Sequence, residues 1–386
     1  MVTRANPPGW YPLLLATASI GIANSVVFTL LSDLQDKYGF SDAGLGLIAG
    51  TGFLVSFVGL ILIAPFADRG HAKTLMLGGL GLAVLGSVLF ASSSSLLTLV
   101  IARGVVGLSN SLFAPASKAI VITMSDGNVA ERLGRVSGVE LAGFVTGPVI
   151  GGLLVGPFGV RVPFLVCGAF ALAGAVMLCS RHLPDPPIGE RHRVAFDLLR
   201  LPAVRSGVLM AMALFLPVGF YDATLDRFLT DLGASNQLIS MAFLMFGVPF
   251  ALLASRGGRL ADRHGPLKVA LLATMCVAPL TAFYGWLTVP AIFVALGLLE
   301  GCLQAMGIPA ASAMIALGAP EGRAGGAQGL SGAGSMLLGA STAYAAGPLY
   351  KHLGPRWMFG IAGAGVMLFA LLAASQRERS TAPAIS

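Results

Sequence analysis

Long stretches of this chain carry no charged side chain at all, among them Thr74 to Ala102, Val162 to Ser180 and Val269 to Leu299. A hydrophobic run of about 18 residues or more is long enough to cross a bilayer as a helix. Hydrocarbon offers no partner for an open backbone, so such runs have to close their own hydrogen bonds. The rest of the 386 residues agree: 56% are hydrophobic and 11% are charged, where a soluble chain carries about 25% charged residues. The sequence therefore predicts an all-α membrane protein. Twelve transmembrane helices are expected, at 11–31, 44–66, 74–93, 96–122, 134–156, 161–181, 205–227, 237–256, 267–287, 290–316, 326–347 and 356–375. The first is expected to remain as an anchor, because MVTRANPPGW leads into an apolar stretch too long for the core of a secretory signal.

The longest polar break, HLPDPPIGERHRVAFDLLRLP at 182–202, splits these helices six and six. The expected domains are an N-terminal bundle at 1–181, a cytoplasmic linker at 182–202 and a C-terminal bundle at 203–386. The net charge of +7 would raise the question of nucleic acid in a soluble protein. Here it follows the positive-inside rule. With both termini inside, Lys37, Arg161, Arg227, Lys351 and Arg356 fall outside, Arg103 and Lys118 lie within helix four, and all other Lys and Arg fall inside. An inner-membrane protein of a bacterium with cytoplasmic termini is expected, surrounded by lipid and without a nucleic-acid partner. The four cysteines lie in apolar segments without metal spacing and read as small packing residues. No metal cluster, phosphate loop or nucleophile–base pair stands out. No cofactor, no bound metal and no enzymatic activity are expected.

The two halves repeat. APFADRGHAK at 64–73 matches GRLADRHGPLK at 258–268, an offset of 194 that also pairs Gly107 with Gly301, Asn110 with Gln304 and Pro115 with Pro309. An offset of 195 pairs Asp126 with Glu321, Gly159 with Gly354 and Arg161 with Arg356. Six helices per unit is an even number, so both units enter the membrane in one direction. That arrangement gives two parallel six-helix repeats, with a site expected at their interface.

On these motifs the chain resembles the major facilitator superfamily over essentially its whole length. The residues that carry the resemblance are the loop DRGHAK with its copy DRHGPLK, and Arg103 before Gly107 in ARGVVGLSN. A third marker is the spacing of Gly134, Gly143, Gly147-Pro148 and Gly151-Gly152 in helix five, which is similar to the motif of proton-driven drug antiporters. Two departures stand beside it. Ala64 occupies the position where the loop motif opens on glycine, and helix one has Asn24 but no carboxylate before Asp33. The resemblance implies the major facilitator fold and secondary active transport by alternating access. It implies the proton gradient as the driving force.

Gly143, Gly147 and Gly151 recur every four residues and draw one stripe along helix five. Small residues at that spacing let helix backbones approach closely in lipid, and Pro148 removes a backbone donor. Two readings stand: a bendable contact with the other half of the chain, or plain tight packing. Glu140 shares the glycine face, either as a titrating gate element or as an anchor near the cytoplasmic water. Glu300 lies about 15 Å into helix ten by the helical rise of 1.5 Å per residue, near the bilayer midplane. An acid there exchanges a proton, contacts substrate, or is held in a fixed ion pair. Gln304 follows one turn later.

Arg103 either tunes an acid, binds an anion, or snorkels to the outer surface. Lys118 snorkels or faces an anionic cargo. Asp222, near the outer end of helix seven, is a coupling candidate or part of a solvated rim. Asn24, Asn110 and Tyr221 complete the expected substrate cavity. Asp68, Arg69, Asp126, Asp262, Arg263 and Glu321 are expected to form a cytoplasmic gate, with Arg69 pairing Asp126 and Arg263 pairing Glu321. Met and aromatic residues of helices seven and eight suit varied ligands. Proton-coupled export of small amphipathic or drug-like molecules by a monomer is the expected function. The alternatives are an uptake permease or exchanger for a small metabolite or organic anion, and a non-transporting receptor or scaffold.

Overall fold

A computed structural model describes residues 7–40, 42–188 and 194–381. Among these residues there are ten helices α1 to α10, at Trp10–Tyr38, Asp42–Leu62, Ala72–Ser92, Leu96–Thr123, Val129–Phe158, Arg161–Cys179, Pro202–Asp231, Asn236–His264, Pro266–Phe283 and Pro290–Gly318. A last helical stretch, Ala324–Thr381, is broken at Gly354, whose φ of 79° and ψ of 171° are open only to glycine. The break divides it into α11 at 324–353 and α12 at 355–381, which makes twelve. Each is long and apolar enough to span a bilayer once the last stretch is divided.

Several boundaries differ from the sequence expectation, each for a local reason. The first helix continues through Asp33, Asp36 and Lys37 until Gly39, which adopts a left-handed φ of 68°. Helix α8 runs on to His264, so Arg256, Arg259, Asp262 and Arg263 are helical; Gly265 and then Pro266 stop it. The matching segment of the first half is a short 3-10 turn, Ala64–Arg69, because Pro65 cannot donate into a continuing helix. Helix α4 opens on a capping box between Ser95 and Thr98.

The described residues fall into two compact units. The first holds residues up to 124, then 139–194 and 321–329; the second holds 125–138, 195–320 and 330 onward. In the first unit α4 packs on α3 and α2, and α6 on α3 and α1. In the second, α10 packs on α8, α9 and α7. The cores are apolar: Val27, Phe90, Val106 and Phe164 belong to one, and Phe228, Phe293, Tyr284 and Phe359 to the other.

Backbone contacts replace side-chain contacts at the tightest points. A β-carbon at Gly143 would lie 2.3 Å from the Ala18 carbonyl oxygen, and one at Gly147 2.1 Å from Ser25 Oγ. The helix-five stripe therefore seats on α1 of its own unit. At Gly151 and Gly152 a β-carbon would make ordinary contacts of 3.5 and 3.8 Å. The earlier Gly134 packs elsewhere, with a β-carbon 2.2 Å from the Ala254 carbonyl of α8 in the second unit. The repeat keeps the α1–α5 contact but exchanges its sides: in α7 and α11 it is Gly219 whose β-carbon would meet Thr342 Oγ1 at 2.1 Å.

Two carboxylates cap helices from outside. In the first unit both oxygens of Asp68 accept from the N-terminus of α11, Oδ1 from Gly325 N–H at 2.6 Å and Oδ2 from Gly326 N–H at 2.7 Å. In the second unit Asp262 accepts from Ala130 and Glu131 N–H at the start of α5, both at 2.9 Å. These amides have no partner within their own helices, and a carboxylate suits the positive end of the helix dipole.

Gly143→Ala is expected to destabilise the protein by about 1–3 kcal/mol through overpacking, whereas Gly156→Ala, where a β-carbon meets nothing within 4 Å, is expected to be neutral or slightly stabilising. Thermal unfolding in detergent reads both. By the same assay Asp262→Asn, which leaves one carbonyl oxygen for two amides, is expected to cost about 1–3 kcal/mol for the stranded donor. Unchanged unfolding would count against the cap.

Candidate functional site

Glu300 is the centre of the polar chemistry in the second unit. It sits midway along α10 and is 1% exposed. Tyr221, one turn beyond Pro217 on α7, donates its hydroxyl toward both carboxylate oxygens, at 3.1 and 3.2 Å. Tyr284, in the 3-10 turn that follows α9, donates to Oε2 at 2.7 Å. Thr281 lies 3.4 Å from the Tyr221 hydroxyl. Gln304, one turn below Glu300, holds its amide nitrogen on the Leu214 carbonyl at 3.0 Å, and its Oε1 is buried without a partner. Aromatic rings enclose the group: Tyr284 lies 4.3 Å from Phe293 and 6.1 Å from Phe359, centroid to centroid. Among the described residues no cation pairs with Glu300, so the expected alternative of a fixed ion pair is not what holds it.

The repeat shows what this cluster replaces. Tyr221, Tyr284, Glu300 and Phe359 correspond to Val27, Phe90, Val106 and Phe164 of the first half. Those four are all buried in one apolar cluster, with Phe90 and Phe164 stacked at 4.7 Å. The fold is thus satisfied by hydrocarbon at these positions, and the carboxylate and two hydroxyls are an addition to it.

The first unit holds a different buried charge. Arg103 on α4 is 5% exposed, so it does not snorkel to the surface. Its Nη1 donates to the Asn24 carbonyl oxygen of α1 at 2.9 Å, and its guanidinium carbon lies 4.9 Å from the Phe28 ring centroid. Its Nε has no partner. Gly52 of α2 makes the room, since a β-carbon there would be 2.4 Å from Nε.

Of the other expected cavity residues, Asn24 turns its own amide back to the Ile20 carbonyl. Asn110, Lys118 and Glu140 are half-buried and Asp222 is exposed; none of the four makes a side-chain hydrogen bond or ion pair among the described residues. Asp68 and Asp262 are brought to the helix caps described above. Arg69 lies over the Phe66 ring at 4.3 Å. The Asp126 N–H donates to Asn128 Oδ1 at 3.2 Å, and Arg263 and Glu321 are exposed.

Several residues at these sites were not singled out in the sequence. Tyr284 and Thr281 lie inside a charge-free run, where hydroxyls carry no pattern of their own; their i, i+3 spacing is the one available signal. Glu131 was also missed. It accepts from Arg135 and from Arg259, both at 2.9 Å, while Arg135 Nε reaches Ser255 Oγ at 3.2 Å. The i, i+4 pair Glu131–Arg135 is legible in the sequence.

Comparisons with known proteins agree with this architecture. The Major Facilitator Superfamily profile matches residues 13–224 and again 206–385. The human vesicular acetylcholine transporter is 30% identical over 288 residues, covering 68% of this chain and 53% of that protein. Multidrug resistance protein MdtG of Escherichia fergusonii is 27% identical over 270 residues, covering 66% of each. The chain thus spans about half to two thirds of the length of such relatives. The crystal structure of the human organic anion transporter MFSD10 superposes with a TM-score of 0.78 at 18% identity, covering 94% of this chain and 98% of that one. That likeness is one of fold. The chain belongs to the Major Facilitator Superfamily.

Proposed function

We propose that the protein is a proton-coupled exporter of small amphipathic or drug-like molecules that works by alternating access. The observation that supports this reading is the Glu300 cluster. A carboxylate deep in a membrane protein is costly to keep and is retained for function by default. Here the first half dispenses with it, and its partners are hydroxyls. An ionised Glu300 accepts from Tyr221 and Tyr284. A protonated one must itself donate, and a hydroxyl that turns can accept from it. Tyr221 is half-buried where Tyr284 is fully buried, and the change falls on the link between α7 and α10. Export, rather than uptake, is favoured by the likeness of the helix-five motif to drug antiporters and by the relative named for multidrug resistance. On this reading the proton gradient drives transport without a cofactor. The protein acts as a monomer in a bacterial cytoplasmic membrane, with both termini inside.

The test uses purified protein in liposomes with a trapped pH dye and an imposed proton gradient. Lipophilic cations, neutral drugs and organic anions are added in turn. Several unrelated compounds are expected to trigger proton movement. Glu300→Gln is expected to reduce that movement to the liposome background while unfolding at an unchanged temperature in detergent. Full proton movement in Glu300→Gln would remove Glu300 from the path, and a response to one compound alone would point to a permease.

A further inference from the structure

We propose that Arg103 is the docking point for a carboxylate carried by an aromatic or otherwise apolar small molecule, so that the cargo is an amphipathic anion. The inference rests on the transport reading above and names its substrate class.

The starting point is an unbalanced charge. A guanidinium remains ionised in proteins and offers five N–H donors. Arg103 uses one of them on the protein, the bond from Nη1 to the Asn24 carbonyl. No carboxylate among the described residues pairs with it. A charge held in the interior without a counter-ion is expensive, and the repeat shows that the fold does not require it, because the equivalent position is Gly297. The neighbours of the group are also particular to this half: Gly52 and Asn24 correspond to Phe246 and Val218.

The surroundings are those of a receptor for a flat acid. A β-carbon at Gly52 would lie 2.4, 2.8 and 3.0 Å from Nε, Cζ and Nη2. The missing side chain leaves space against the group. Nε has no hydrogen-bond partner and no bond from Nη2 is found among the described residues, and this Nε–Nη2 edge is the one a carboxylate takes with two parallel hydrogen bonds. Phe28, packed beside the guanidinium, is half-buried and lies 6.0 Å from the ring of Phe144, which is 41% exposed. An apolar body attached to the carboxylate would rest on this aromatic pair. Farther along α4, Asn110 and Lys118 stand within about 20° and about 60° of Arg103 around the helix axis at 100° per residue. Both are half-buried and their side chains make no hydrogen bond or ion pair among the described residues, which gives the same face of the helix a second cation.

The test is equilibrium binding by calorimetry to the purified full-length protein in detergent. No proton gradient is present, so a failure of proton coupling leaves the result readable. The probes are 2-naphthoate and its uncharged isostere 2-naphthamide. Naphthoate is expected to bind one to one and naphthamide about tenfold or more weaker, the size of a charge-assisted hydrogen-bond pair. R103Q is expected to abolish the preference, and R103K, which keeps the charge but not the fork, to retain part of it. G52A, which displaces the guanidinium without removing it, is expected to weaken naphthoate alone and decides the matter if R103Q does not fold. Equal binding of acid and amide, no naphthoate binding to the unmodified protein, or a preference that survives both R103Q and G52A would overturn the proposal.

Discussion

Hydrocarbon gives a helix no partner for its polar groups and no hydrophobic reason to meet another helix. What remains is close packing, and this chain obtains it by removing side chains where helices cross. At Gly143 and Gly147 the backbone of α5 rests on the backbone and Ser25 of α1. The counterpart contact between α7 and α11 again sets a glycine against a hydroxyl side chain, with the sides exchanged, Gly219 against Thr342. Both hydroxyls turn back to carbonyls of their own helices, Ser25 to Gly21 and Thr342 to Leu338. A crossing of this kind needs one missing β-carbon and one small polar side chain. It is indifferent to which helix supplies which. The contact survived duplication as a geometry rather than as a sequence.

The same duplication separates what the fold needs from what it carries. Positions 27, 90, 106 and 164 form an ordinary apolar core in the first half, and their counterparts 221, 284, 300 and 359 keep the aromatic packing while gaining a carboxylate and two hydroxyls. Arg103 and Gly297 differ in the opposite sense, with the cation in the first half. Within these matched helices each unit therefore holds a buried charge that its counterpart lacks, Arg103 in the first and Glu300 in the second, at positions one turn apart in the repeat. Neither has an ion-pair partner among the described residues of its own unit. Two structural ion pairs would have been placed more cheaply at the ends of the helices, as Glu131 is with Arg135 and Arg259.

Much of the fold was legible because membrane solvent leaves few options. Charge-free runs gave the helices, and glycine or proline gave most of the stops, as at Gly265 and Gly354. The ends of α1 and α8 were misjudged because charged residues read as loop, although a helix leaving the bilayer can carry Asp33 or Arg259 into water without breaking. The site was half legible. Glu300 announces itself, since an acid in an apolar run has few innocent explanations. Tyr284 does not, because a tyrosine between apolar neighbours looks like packing until its hydroxyl is seen on Glu300 Oε2. The caps show the limit of pairing by charge. Asp68 and Asp262 read with their arginine neighbours as a charged gate, and to this the structure adds backbone amides, those of Gly325 and Gly326 on Asp68 and of Ala130 and Glu131 on Asp262. A backbone donor leaves no mark in the sequence.

The nature of the donor also distinguishes the carboxylates from one another. Asp68 and Asp262 accept from backbone N–H groups, and Glu131 from guanidinium groups. Those donors have no lone pair to offer in return. Of these four, only Glu300 is held by hydroxyls, which give and accept with a rotation about one bond, and Gln304, one turn along α10, has a buried Oε1 without a bond of its own. The cluster can therefore hold either form of the acid with its hydrogen bonds rearranged rather than lost. On the proposed reading, that tolerance is what suits Glu300 to exchange a proton on each transport cycle.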